Sequence, residues 1–298
     1  MSTLLLFLAM SGGVLVPVLS VVVAITVLVP VLRDRTSPPA PHESAAGAGI
    51  RRHAALTAAS GWAAASLAFG AAFTAGGAAS LDEVLAVLGF LAPSAAVLVL
   101  LVVQVVGELT WPRAPGPLDR APGDAARTAP RAVRLLMWLW VSLLAVAVLA
   151  FGAVSDDGRT VSVTTVQPNG APMTYGVGPF PGWAYGPALL TGSVLVVLLA
   201  ECTLQLVTRR RAVTGAAGDR ALRVASARRA VHSAHLSVAV TLAGVLLYAG
   251  NAIGEVRDAR AGALVTGLAA VVAVVAVAAA AASVTRRSRR PLAARTAA

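Results

Sequence analysis

The chain has 298 residues, of which 57% are hydrophobic and only 12% are charged. A soluble domain carries about 25% charged residues because its surface faces water, so this composition excludes an ordinary soluble protein. The formal net charge is +11, every basic residue is arginine, and there is one cysteine. Without lysine the chain cannot form a retinal Schiff base or a Walker-type phosphate loop, and a single cysteine cannot form an internal disulfide.

Long uncharged blocks hold most of the apolar residues, and blocks of about 18 or more residues predict transmembrane helices. The first block lacks the basic start and the short apolar core of a cleavable signal peptide, so we predict that it is retained as a span. The second block is rich in Ala and Gly and is only moderately hydrophobic. The seven predicted spans are residues 4–32, 54–78, 84–106, 135–154, 187–208, 234–253 and 262–284.

The connections between these spans are short or irregular. Prolines and glycines argue against regular structure in the linker 36–53. Only a few residues around Asp82 and Glu83 separate spans two and three, which predicts a tight antiparallel helical hairpin. Asp219 precedes Arg223 by one helical turn, a favourable pair, so span six should extend into the cytoplasm as a basic helix.

The arginines predict the direction of the spans. Of the 24 basic residues, 21 fall in the linkers after spans one, three and five and in the tail 285–298. Cytoplasmic segments carry the excess of arginine, so the amino terminus is predicted outside and the carboxyl terminus in the cytoplasm. Because the basic residues are spread over four segments, the predicted partner is a bilayer with an anionic inner leaflet and not a nucleic acid. Abundant alanine without lysine is typical of a high-GC bacterial genome, which predicts a bacterial inner membrane.

The longest predicted outer segment, residues 155–186, has the features of a β-hairpin. Residues 160–166 alternate β-branched and polar side chains, and Asn169-Gly170 is a typical hairpin turn. In one interpretation this loop caps the bundle and binds a ligand or partner. In the other it closes the connection and its charges are solvated. The candidates for ligand contacts are Asp156, Asp157, Arg159 and Trp183.

An Asp-Asp-Gly-Arg opening, the β-branched alternation and a Pro-Gly-Trp-Ala-Tyr-Gly-Pro return to the membrane occur within residues 150–190. In these features the chain resembles a group of uncharacterised multi-pass membrane proteins of actinobacteria. The resemblance implies a source and a membrane class, and it implies no activity. The predicted fold is a single all-α transmembrane domain over residues 1–298, a seven-helix bundle with one small extracytoplasmic β-hairpin between spans four and five.

Polar residues at a similar depth near the predicted inner face are the candidates for function, because ionisable groups inside a bilayer are costly. Glu201 is the deepest, eight residues or about 12 Å from Arg209 at the end of its span. If these groups converge, they could relay protons, hold a cation or bind a polar substrate group. Alternatively, Glu201 makes one structural contact between helices and the others lie among headgroups. The candidates are Gln104, Glu108, Glu201, Gln205, His232 and His235.

These patterns leave three functional hypotheses open. We expect a non-enzymatic membrane protein, either a transporter-like permease or the membrane subunit of a larger complex. The rival is a sensor or receptor whose outer loop binds a ligand and whose basic cytoplasmic segments contact a soluble protein. The third is an intramembrane enzyme that uses Glu201 with His232 or His235. The histidines and glutamates form only a weak metal-binding pattern, so no metal or cofactor is predicted.

Overall fold

The computed structural model describes residues 45–78, 83–112, 131–210 and 216–288. Within these ranges the chain forms six helices and two strands. The helices are α1 (Ala45–Ala78), α2 (Glu83–Leu109), α3 (Arg131–Val154), α4 (Gly186–Arg209), α5 (Ala216–Val256) and α6 (Ala259–Ser288). The strands are β1 (Val161–Val166) and β2 (Pro172–Val177), both between α3 and α4.

Each of these six helices contains a stretch that is long and apolar enough to cross a bilayer. Their positions match predicted spans two to seven, so a mainly helical, membrane-embedded protein is confirmed. The predicted first span, residues 4–32, lies outside the described residues, as does most of the predicted tail 285–298. The count of seven spans and the orientation therefore stay predictions.

Two helices are longer than the predicted spans. The expectation of an irregular linker up to residue 53 is wrong, because α1 already begins at Ala45. The prolines of that linker all precede Ala45, and the alanines that follow have the highest helix propensity. The predicted helical extension of span six is present, since α5 has 41 residues. Its cytoplasmic location stays a prediction. At a rise of 1.5 Å per residue, α5 is about 60 Å long, twice the thickness of a hydrocarbon core.

The described residues form two compact units, and α4 and α5 contribute to both. In the first unit, which comprises the described residues up to 112 together with 198–210 and 216–230, α1 and α2 form the predicted antiparallel hairpin. Gly61 lies against Leu100, and Gly76 lies against Gly89 near the other end of the pair. Glycine at these positions permits close backbone approach, which favours helix association in lipid. The apolar centre of the hairpin contains Ala65, Ala96 and Leu100, flanked by Trp62 and Phe69.

The second unit comprises residues 131–197 and 231–288. Its two strands pair antiparallel, from Val161 opposite Val177 to Val166 opposite Pro172. Gly170 in the connecting turn has a φ of +79°, a conformation that glycine adopts without strain. The small antiparallel sheet predicted between spans four and five is therefore confirmed.

The base of the hairpin loop is packed against the end of α3. Phe180 is fully buried and its ring meets Phe151 edge to face, with ring centres 5.7 Å apart. The indole of Trp183 covers Gly152, where a Cβ atom would lie 2.5 Å from the ring. The strands themselves extend away from this anchor and most of their side chains are exposed.

Candidate functional site: a buried polar cluster in the first unit

The last turns of α2 present two polar side chains to one small cavity. Gln104 and Glu108 are four residues apart, so they lie on the same face of the helix and both line this cavity. The cavity has room for about one water molecule. Its other lining residues are Ala54, Thr57, Gly107, Trp111, Ser226 and Arg229.

Glu108 forms a buried ion pair with Arg210, the residue that directly follows α4. Arg210 Nη1 donates to both carboxylate oxygens, at 3.3 and 3.1 Å. The two side chains are only 6% and 3% exposed. Loss of either partner would leave an uncompensated charge in the interior. Such a charge is costly because it has been removed from water. The guanidinium carbon of Arg210 also lies 3.9 Å from the ring centre of Trp111, a cation–π contact.

Arg223 joins the end of α4 to the beginning of α5. Its Nη1 and Nη2 atoms donate to the backbone carbonyl oxygens of Thr208 and Arg210, at 2.9 and 2.8 Å. Its Nε atom pairs with the carboxylate of Asp219, so the helical pair predicted from the sequence is present. Carbonyl groups at the end of a helix lack helical partners and carry partial negative charge, so a guanidinium stabilises them.

The described part of the cluster contains three arginines and two acids. Arg229 lines the same cavity as Glu108, and burial lowers the pKa of Arg210 while the charges of Glu108 and Asp219 oppose that shift. Arginine stays protonated at neutral pH even when it is buried. The members of this cluster are Glu108, Arg210, Asp219, Arg223 and Arg229.

Gln104 is buried beside these charges without a partner of its own. It is 4% exposed, and neither its amide nitrogen nor its amide oxygen has a hydrogen-bond partner among the described residues. The same holds for the indole nitrogen of Trp111 within the described ranges. An unpaired buried polar group costs about 1–3 kcal/mol, and native proteins retain few of them. Both residues line the cavity.

His53 supports the wall of this cavity from α1. Its Nε2 atom lies 2.9 Å from the carbonyl oxygen of Gly107, so the ring nitrogen is the donor in this bond. The imidazole also meets the indole of Trp111 edge to face, at 5.5 Å between ring centres. These contacts hold Trp111 just beyond the end of α2.

Two arginines of the cluster, Arg210 and Arg229, and the cavity residue Trp111 were not among the sequence-based candidates. Arg210 and Arg229 were assigned only to the topological excess of arginine, and Trp111 had no assigned partner. Their signal in the sequence is position alone: Arg210 directly follows α4 and Trp111 lies two residues beyond α2. Nothing in the sequence indicates that they meet Glu108.

The remaining inner-face candidates lie elsewhere. Glu201 is half-buried and Gln205 is exposed on α4, and neither is part of the cavity lining. His235 belongs to the second unit and is fully buried. Trp140 Nε1 donates to its Nδ1 atom at 3.2 Å, so its Nε2 atom carries the proton and donates to the carbonyl oxygen of Ala276, also at 3.2 Å. Both nitrogens of His235 are therefore engaged, while His232 is half-buried in the same unit.

The acidic candidates of the hairpin loop between α3 and α4 form hydrogen bonds within the loop itself. Asp157 accepts hydrogen bonds from the backbone nitrogens of Arg159 and Thr160, at 2.8 and 2.6 Å, and these bonds lower its pKa. Asp156 accepts bonds from the hydroxyl and backbone nitrogen of Ser162, which lower its pKa too. Both carboxylates are exposed, as is the side chain of Arg159.

Among the described residues there is no group of three or more His, Cys, Asp or Glu side chains that could hold a metal ion. The comparisons with protein families, curated proteins and solved structures gave no match to this chain.

Proposed function

We propose that this integral membrane protein is a transporter-like permease whose polar cavity at the end of α2 recognises a small polar solute. The observation that carries the proposal is the buried amide of Gln104. It faces a cavity that Glu108 and Arg229 also line, and no described residue pairs with it. Buried polar groups are costly in a membrane protein and are typical of solute pathways. A purely structural cluster would gain stability by pairing or replacing this amide.

The arrangement supports recognition more strongly than proton transfer or catalysis. Both carboxylate oxygens of Glu108 accept a hydrogen bond from the guanidinium of Arg210. A general base must reach the proton that it abstracts, and here Arg210 occupies both oxygens. The hypothesis of an enzyme using Glu201 with His235 gains no support from His235, both of whose nitrogens are engaged.

Replacement of Gln104 in a deletion strain complemented with the full-length chain tests the proposal. Gln104→Leu removes both amide atoms while keeping a similar volume, and we expect it to abolish complementation of the transport phenotype. Gln205→Leu is the matched control, because Gln205 is an exposed glutamine outside the cavity lining. Both variants are compared at equal membrane abundance. Full complementation by Gln104→Leu would overturn the proposed role of the cavity.

A membrane subunit of a larger complex is the second form of the same hypothesis. Its support is α6, which exposes large apolar side chains such as Leu264, Leu268 and Val274. Either lipid or a partner subunit can cover such a surface in a membrane. Mild detergent extraction followed by native-gel mass determination distinguishes a single chain from an assembly.

A receptor is the alternative function, and the hairpin is the observation that favours it. Val166 is 74% exposed, and Met173 and Tyr175 are more than half exposed. Neighbouring exposed apolar groups on a hairpin can form a contact surface. A Met173→Ser/Tyr175→Ser variant that retains solute uptake but no longer complements the deletion strain would favour the receptor. If that variant retains uptake and complementation while Gln104→Leu loses uptake, the permease is favoured.

A further inference from the structure

We propose that one face of the β1–β2 hairpin lies on the lipid headgroups of the bilayer, as a surface-bound element between α3 and α4. The hairpin belongs to the second unit, so this inference goes beyond the proposed function and is independent of the cavity. Three observations support it: the separation of apolar and polar side chains between the two faces of the hairpin, the lack of charge along the segment, and its attachment to two helices that are apolar enough to span a membrane.

The register of the hairpin separates its apolar and polar side chains. Residues directly opposite each other in an antiparallel pair share a face, and successive residues of a strand alternate between faces. One face, here called the apolar face, carries the pairs Val161–Val177, Val163–Tyr175 and Thr165–Met173. The opposite face carries the pairs Ser162–Gly176, Thr164–Thr174 and Val166–Pro172. On that opposite face the hydroxyl groups of Thr164 and Thr174 form a hydrogen bond of 3.0 Å.

The apolar face changes from buried to exposed along the hairpin. Val161 at its base is fully buried, so this face turns toward the body of the second unit. Val163 is half-buried, whereas Met173 and Tyr175 are 52% and 53% exposed. An antiparallel sheet with one apolar and one polar face is commonly covered on the apolar side and solvated on the other. The outer part of the apolar face therefore requires a cover that the described residues do not supply.

The composition of the segment favours lipid over a soluble protein as this cover. No charged residue occurs between Arg159 and Glu201, whereas soluble domains carry about 25% charged residues. Exposed apolar patches mark either membrane or protein contacts. Soluble partners commonly select each other by complementary charge, and the hairpin offers none. Tyrosine, by contrast, is enriched where a membrane meets water, because its ring is apolar and its hydroxyl is polar.

The attachment of the hairpin places it at a membrane surface. β1 follows the end of α3 and β2 precedes the beginning of α4, and both helices are long and apolar enough to cross a bilayer. A two-stranded sheet has open edges, whose unpaired backbone groups exclude it from the hydrocarbon core. The headgroup region is polar, so the hairpin can lie flat there, with Met173 and Tyr175 toward lipid and Thr174 toward water. Like an amphipathic helix on a membrane, it gains affinity from the apolar area that it buries.

Spin labels on three neighbouring positions of β2 test the proposal in the full-length protein. In a Cys202→Ser background, the variants Met173→Cys, Thr174→Cys and Tyr175→Cys each receive a nitroxide, and the protein is reconstituted in phosphatidylcholine vesicles. Oxygen concentrates in lipid, whereas a neutral nickel chelate concentrates in water. We expect the labels at positions 173 and 175 to collide mainly with oxygen, and the label at position 174 to collide mainly with the chelate.

Two other outcomes of this experiment would overturn the proposal. If all three labels prefer the same reagent, the two faces of the hairpin are not separated by the membrane surface. A hairpin that waits for a soluble partner would give this result, with the chelate as the preferred reagent, because the vesicles contain no partner. If the labels at positions 173 and 175 meet neither reagent, protein covers the apolar face, either a second copy or another part of this chain.

A carboxylate on either face provides a second test with a matched control. The label stays at Met173→Cys, while Tyr175→Asp adds a charge to the apolar face and Thr174→Asp adds it to the opposite face. A charged group is costly in lipid, so Tyr175→Asp should shift the collisions of the label from oxygen toward the chelate. Thr174→Asp should leave them unchanged, and amide hydrogen exchange of β1 and β2 verifies that the strands stay paired in both variants. Equal collision rates in the two variants would contradict docking through the apolar face.

Discussion

Arg210 and Glu108 lie 102 positions apart in the chain, yet one guanidinium nitrogen of Arg210 bonds both carboxylate oxygens of Glu108. The backbone carbonyl of the same arginine accepts a hydrogen bond from Arg223. Through this residue the end of α2, the end of α4 and the beginning of α5 meet in one buried cluster. Ion pairs and hydrogen bonds thus hold these three helix ends together beside the cavity of the first unit.

Removal of one partner of this ion pair should strongly destabilise the protein. We expect Glu108→Gln or Arg210→Gln to cost about 3–5 kcal/mol, because each leaves an uncompensated buried charge. The double variant should cost less than the sum of the two single changes, since it leaves neither charge alone. Unfolding free energy in mixed micelles measures all three. Arg220→Gln is the control, because Arg220 is exposed on α5 and its loss should change stability by about 0.5 kcal/mol or less. Strict additivity of the two single changes would contradict the pairing.

Gly152 should not tolerate a larger side chain. A Cβ atom there would lie 2.5 Å from Cε2 of Trp183, so the indole would have to move. We expect Gly152→Ala to cost about 1–3 kcal/mol, as in other overpacked sites, and to shift the tryptophan emission spectrum. Gly244→Ala is the matched helical control, because an added Cβ atom there would meet no atom of another described element within 4 Å. It should be neutral or stabilising by up to about 1 kcal/mol. Equal effects of the two changes would show that Trp183 does not pack on Gly152.

The hairpin loop between α3 and α4 should lose order in acid. Hydrogen bonds from the backbone nitrogens of Arg159 and Thr160 lower the pKa of Asp157 in the folded state. The carboxylate therefore stabilises the loop above its unfolded pKa, and this contribution is lost as the pH falls through the lower, folded value. Hydrogen exchange at Arg159 and Thr160, normalised to intrinsic rates, should show falling protection in that range. Asp157→Asn should weaken protection at neutral pH and remove most of its pH dependence. An unchanged profile in Asp157→Asn would assign the effect to another group.

Accessibility of single cysteines should reveal the orientation. In a Cys202→Ser background, Thr174→Cys on the hairpin and Arg220→Cys at the beginning of α5 place one thiol in each exposed segment. The excess of arginine predicts that a membrane-impermeant maleimide labels Thr174→Cys in intact cells. Arg220→Cys should react only after permeabilisation. Labelling of both positions from the same side would contradict the predicted topology.

The membrane-spanning helices were predictable because lipid imposes a simple rule. In a bilayer, a single segment can form all of its backbone hydrogen bonds internally only as a helix. The length of the hydrophobic blocks therefore predicts α3 and α4 to within a few residues. The hairpin was predictable for a local reason as well, since Asn169-Gly170 specifies the turn. The beginning of α1 was not predicted, because the prolines and glycines of residues 36–53 indicate an irregular linker over that whole segment. Those prolines end before Ala45, where good helix formers begin.

The polar cluster was only half predictable. The spacing of Gln104 and Glu108 on one helical face follows from 3.6 residues per turn. Their partners depend on which helices pack together, and hydrophobic patterns do not specify this in lipid, where every face is apolar. Arg210 could equally have pointed to water like Arg209, its exposed neighbour. Glu201, the most conspicuous intramembrane acid in the sequence, is not part of the cavity lining for the same reason.

The separation of Glu108 and Arg210 also bears on how the protein is made. Ribosomes synthesise about 5–20 residues per second, so the carboxylate emerges about 5–20 s before the arginine that neutralises it. During that interval Glu108 must stay hydrated at the membrane surface, be protonated, or be shielded by the insertion machinery. The end of α2 can therefore reach its folded position only after α4 and Arg210 have been translated. Biogenesis of the first unit is consequently ordered in time, with the polar cluster assembled last.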